Sequence, residues 1–148
     1  MADAKPGETR RLSIGGKGSA IAEGPVEIEA SFVSASDGEF ALEDLNSHLA
    51  ASQGSHFSMG SCVVVQVEGV TVLLSSRKTP PFDLGQLRSQ GIEPETLKAI
   101  GVKAAVAHRR AYDKIAKGSF TVTTPGPCTS RIAGLPYKRL RRPVYPLD

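Results

Sequence analysis

Two apolar runs dominate the hydrophobic pattern: Cys62-Val63-Val64-Val65-Gln66-Val67, then Val70-Thr71-Val72-Leu73-Leu74-Ser75-Ser76 after a Glu68-Gly69 dipeptide. β-branched runs on either side of a two-residue connection with glycine, which accepts positive φ, predict a hairpin. Pro80-Pro81 follows and ends the second strand, because proline has no N–H to offer a ladder. Asp83 then stands as N-cap of a short helix predicted over Leu84 to Gln90 and closed by Gly91. After the apolar segment Ile92 to Val102, a helical pattern runs from Ala104 to Ala116, and Lys103 opens it.

Upstream, Val26, Ile28, Ala30 and Phe32 alternate with Glu27, Glu29 and Ser31. That period of two predicts a half-buried antiparallel strand with its acidic face in water. Asp37-Gly38 predicts a hairpin turn, with Phe40-Ala41-Leu42 as the return strand. Arg11 to Ile14 suits a short strand. Gly15-Gly16-Lys17-Gly18 reads as a flexible turn, since it lacks the Lys-Ser/Thr ending of a phosphate loop. Residues 43–60 read as an exposed connection holding at most one helical turn around Leu45, His48 and Leu49. Downstream, Ser119 to Thr124 predicts a strand, ended by Pro125-Gly126-Pro127. Residues 135–148, interrupted by Pro136, Pro143 and Pro146, read as an extended strap anchored by Tyr137, Leu140, Val144, Tyr145 and Leu147. The class is α+β: a mixed, largely antiparallel sheet built from hairpins, with two or three helices and a C-terminal strap. Residues 1–10 are expected to be a disordered N-terminus and residues 11–148 one domain.

The chain has 148 residues, 40% of them hydrophobic, with no Trp, so its core must be mostly aliphatic. No apolar run approaches the ~20 residues that span a bilayer, and no signal-peptide h-region opens the chain, so a cytoplasmic protein is expected. Cys62 and Cys128 are read as free thiols. The net charge of +3 is unevenly spread: residues 1–70 carry −6 and residues 71–148 carry +9. Nucleic acid is disfavoured as the partner of the basic half, whose cations are not interleaved with stacking aromatics. An anionic substrate or an acidic partner domain suits it better.

Candidate chemistry is sparse. The three histidines, His48, His56 and His108, include no pair at i, i+4 and no HExxH, so no metal site is expected within this chain. No Gly-x-Ser-x-Gly elbow exists, and a strand-opening cysteine among valines is inert packing. What remains is cationic. Arg77 stands at a strand end before the Pro-Pro break, and Lys103, His108 and Arg109 follow on the predicted helix.

The strings SSRKTPPFD, LRSQGIEP, VKAAVAHRRAYDKIA, TTPGPCTS and LPYKRLRRPVYPLD, in this order, resemble the C-terminal domain of MlrC-like (microcystinase C) zinc metallopeptidases, over about Leu12 to Asp148. The resemblance implies an accessory domain of a two-domain hydrolase acting on peptide or amide bonds. Its zinc ligands would lie in a larger N-terminal domain outside these residues, so zinc belongs to the full-length enzyme and none to this chain alone. The implied partners are that zinc-binding domain, in cis or as a separate chain, and an anionic peptide-like substrate. Arg77, Lys103 and Arg109 match the family's recurrent Ser-x-Arg and Lys-x5-Arg patterns, and His108 matches one form of the second. The resemblance makes them candidates for the substrate or interdomain cleft. The competing reading is a stand-alone module that binds an anionic ligand or another protein.

Overall fold

The computed structural model describes residues 3–18, 24–124 and 132–148. The predicted central hairpin is present as β5 (Cys62–Val67) and β6 (Val70–Ser75), paired antiparallel from Cys62↔Ser75 to Val67↔Val70. Glu68 and Gly69 both take positive φ, 46° and 86°. Two left-handed residues in a two-residue turn match the twist of the flanking strands.

β5 is an inner strand. The larger sheet runs β1 (Thr9–Ile14), β2 (Val26–Ser36), β5, β6. β2 pairs antiparallel with β5, Phe32 opposite Val65 and Ser36 opposite Cys62, with a bulge between Phe32 and Ser34. Consecutive residues Val64 and Val65 are both buried, so β5 is covered on both faces. That is why its sequence is a continuous apolar run and not an alternation. On β2 the alternation deepens inward: Val26 is exposed, whereas Ala30 and Phe32 are buried. Gly7 donates to the Phe32 carbonyl and Phe32 to the Glu8 carbonyl, so pairing with β2 begins before β1 itself.

The second hairpin is different from the one expected. β3 (Glu39–Ala41) pairs with β4 (His56–Ser58), not with β2. Both edges of β2 are already bonded, to β1 and β5, so no edge is left for a return strand. Gly38 (φ 71°) instead lets two segments touch. A Cβ there would lie 2.1 Å from the Gly60 carbonyl oxygen, and the Gly38 carbonyl accepts from Met59 N–H at 2.9 Å. The stretch 43–60, expected to be an exposed connection, also holds α1 (His48–Gln53). Ser47 caps this helix, its hydroxyl accepting from Ala50 N–H at 3.1 Å. Leu49 and Met59 complete a core cluster with Phe40, Leu42 and Cys62.

A second cluster joins Leu84, Ala111 and Tyr112, flanked by Leu87, Ile100, Val102 and Ile115. Its helices are shorter than predicted: α2 is Gly85–Arg88 and α3 is Arg109–Tyr112. Ala104 to Ala107 do not join α3, and Lys103 lies in irregular chain before it. Ala104 and Ala105 bring helix propensity but little apolar surface, and Val106 is exposed, so tertiary burial does not support those turns. Ser119 to Thr124 forms no strand. A short 3-10 turn at Ile132–Gly134 precedes the strap, in which Val144 and Leu147 are half-buried but Tyr137, Leu140 and above all Tyr145 are exposed, so Tyr145 is no anchor. Two compact units are distinguishable, residues 1–12 with 27–119, and 13–26 with 120–148. The predicted turn at Pro125-Gly126-Pro127 and the thiol of Cys128 lie outside the described residues.

Candidate functional site

Asp83 organises the ground on which the predicted cations stand. The residue is 2% exposed, and its carboxylate is surrounded by backbone donors. Gly85 N–H donates to Oδ1 at 2.8 Å, Asp44 N–H to Oδ2 at 3.2 Å, and Glu43 N–H to both oxygens at 3.1–3.2 Å. One side chain thus holds the first residue of α2, whose N-cap position is Leu84 and not Asp83 as expected, and pins the chain leaving β3 against it. Gly85 has to be small, since a Cβ there would meet the Ala41 carbonyl oxygen at 2.6 Å. Sequence reasoning brings Asp83 to the start of this helix, one residue before the actual N-cap Leu84, and misses the bonds to Glu43 and Asp44, which come from 40 and 39 residues away.

Two arginines reinforce the same junction. Arg110 on α3 donates to Asp44 through Nε at 2.5 Å and to the Asn46 carbonyl at 3.0 Å. Its guanidinium holds the Asp44 carboxyl below the usual range, first by hydrogen bonding. Arg88 on α2 meets three carboxylates, Glu43 at 2.8 Å, Glu95 at 2.6 Å, and Glu93. Neither arginine stands out in the sequence, because their acidic partners are dispersed through it. Tyr112 packs inside α3, where burial, and then the charge of Asp83, raise its phenol above the ordinary value.

The four predicted residues fall in two places. Arg77 follows the end of β6. Its N–H donates to the Met59 carbonyl at 3.0 Å, and its own carbonyl accepts from the Ser75 and Thr79 hydroxyls at 3.0 and 3.3 Å. Its aliphatic stem lies over Gly60 (φ 63°), where an added Cβ would come within 2.9 Å of Cγ. Backbone and stem are fixed while the residue remains exposed. Lys103, His108 and Arg109 stand near one another in the chain, on the segment leading into α3. Lys103 and Arg109 are exposed. His108 is half-buried, its ring 6.3 Å from that of Tyr112, and its Nδ1 is buried with no partner among the described residues. No hydrogen bond or ion pair among the described residues joins Arg77 to the other three. Nor does a described carboxylate pair with Arg77, Lys103 or Arg109, in contrast with Arg88 and Arg110.

Among the described residues, no three His, Cys, Asp or Glu side chains converge on one point. Cys62 is buried at the start of β5, and burial pushes its thiol up, away from the thiolate a metal or a nucleophile requires. No described helix is long and apolar enough to cross a membrane.

The family model for the MlrC C-terminus matches residues 1–139. Among solved structures, a candidate metallopeptidase from Mesorhizobium sp. BNC1 superposes with a TM-score of 0.75 at 22% identity. The superposition covers 99% of this chain and 28% of that one, so this chain spans little more than a quarter of its neighbour. No curated protein matches.

Proposed function

Since the chain belongs to the MlrC C-terminus family, we propose that it serves as the C-terminal accessory domain of a cytoplasmic zinc metallopeptidase that hydrolyses an amide bond in a peptide-like acid. A partner domain, fused to it or separate, holds the metal and the hydrolytic water. Arg77, Lys103 and Arg109 offer charge-assisted hydrogen bonds to carboxylates of the substrate. The observation carrying this reading is the division of labour among the cations. Arg88 and Arg110 are committed to carboxylates of this chain, while Arg77 has a fixed stem and no described carboxylate. A held stem with a free head suits recognition of an anion. The neighbour from Mesorhizobium, described as a candidate metallopeptidase, adds support in the same direction.

The test is hydrolysis of linearised microcystin by the two-domain enzyme. Arg77→Ala or Lys103→Ala should lower kcat/KM about ten- to a hundredfold, the worth of one charge-assisted contact of roughly 1.5–3 kcal/mol, with zinc content unchanged. Arg139→Ala and Arg141→Ala in the strap should be nearly silent. Full activity in the Arg77 and Lys103 variants would leave the domain without a role in substrate binding.

A further inference from the structure

Residues 119–124, Ser-Phe-Thr-Val-Thr-Thr, carry the composition and the period of a strand, yet they join no sheet. No backbone hydrogen bond connects them to any described residue. Phe120 is 91% and Val122 75% exposed, at alternate positions, and Thr121, Thr123 and Thr124 are exposed as well. β-branched and aromatic residues at alternate positions suit a pleated surface with a neighbour, and unbonded N–H and C=O groups along such a segment form a template for one. Of the twelve large hydrophobic residues most exposed among the described residues, six fall between Phe120 and Tyr145, which marks this end of the chain as the place where covering is missing.

We propose that residues 119–124 add as a strand to a sheet edge of the zinc-holding domain, with Phe120 and Val122 entering apolar pockets beside that edge. Main-chain bonds would supply affinity and the alternate side chains specificity. This partner is favoured because the Mesorhizobium fold contains the equivalent of essentially this whole chain, while more than two thirds of that polypeptide lies outside the match and is available to cover the segment. The inference rests on the accessory-domain reading and specifies where the two domains join.

The experiment is amide hydrogen exchange on the 148-residue chain, alone and mixed with the unmatched portion of the Mesorhizobium protein. Alone, amides 120–124 should exchange almost as fast as in an unfolded peptide. In the mixture they should slow about 100-fold, and Val122→Pro, which removes a donor, should abolish the slowing while the β5–β6 amides stay protected. Proline at the matching position of the intact Mesorhizobium chain should speed exchange across the same segment, a readout that does not require a fragment to fold. Unchanged exchange in the intact protein overturns the strand addition. Protection that grows with the concentration of this chain alone, with a dimer in sedimentation, overturns the choice of partner. If mixing restores hydrolysis without protecting these amides, the docking proposal fails and the accessory-domain reading stands. If amides are protected but hydrolysis is absent, the docking stands and that reading fails.

Discussion

Asp83 shows how much of this fold rests on a single side chain. A buried carboxylate is costly unless donors surround it, and here three backbone N–H groups do so. Removing it takes away the charge and also leaves the N–H groups of Glu43, Asp44 and Gly85 without their acceptor. Asp83→Ala should therefore cost about 2–4 kcal/mol, more than one ordinary hydrogen bond, because stranded buried donors dominate the loss. Asp83→Asn retains one acceptor oxygen and should lose roughly half as much. Urea melts of the two variants check the ordering, and an alanine variant as stable as the parent would show that Asp83 does not hold the junction. A nearby pair makes the contrast: in the Arg110–Asp44 ion pair the arginine side chain is about half exposed, and breaking the pair should matter less.

At the scale of elements, the central hairpin is legible from local signals, whereas distant pairings, the extent of the helix over Ala104 to Ala116 and the absence of a strand over Ser119 to Thr124 are not. The β5–β6 hairpin was legible because its turn and both strands lie within 14 consecutive residues, Cys62 to Ser75, and nothing else competes for the pairing. β3 was found as a strand but given the wrong partner. Its own turn signal at Asp37-Gly38 is strong, and only the occupation of both edges of β2 sends it to β4 instead. The helix over Ala104 to Ala116 was overextended for the opposite reason, since propensity is visible in a sequence and the shortage of surface to bury against is not. Arg77 at a strand end followed from the same local reasoning that located β6; whether the four cations share one ligand is not encoded locally at all. The hairpin also carries the element-scale prediction. Val65 is fully buried between Phe32 on β2 and Val72 on β6, whereas Val70 at the hairpin's turn is 60% exposed. Val65→Ala should cost about 2–3 kcal/mol and Val70→Ala less than about 0.5. Equal midpoints in denaturant for the two variants would mean that β5 is not the inner strand of the sheet.

For the whole molecule, the uneven charge now has a partial structural account. The acidic half supplies Glu43 and Asp44 to the basic half's Arg88 and Arg110, so part of the asymmetry is consumed in holding the domain together. Arg142 likewise pairs with Asp148, whereas Arg77, Lys103 and Arg109 have no carboxylate partner among the described residues, and these three carry the proposed function. The metal provides the sharpest test of how that function is divided between domains. Zinc binding needs three or four ligands brought to one point at about 2.0–2.3 Å, and affinity falls steeply when the ligands are scattered or protonated. Here the described ligand-type side chains do not converge, and the buried thiol is held in its protonated form. After exposure to zinc and exhaustive dialysis, the 148-residue chain should retain well under one zinc per chain, and its thermal midpoint should not move when zinc is added, because a metal that binds only the folded state must raise it. The two-domain enzyme treated the same way should keep its metal. Stoichiometric zinc that resists a chelator in the isolated chain would place ligands within these 148 residues and overturn the assignment of the metal to a partner domain.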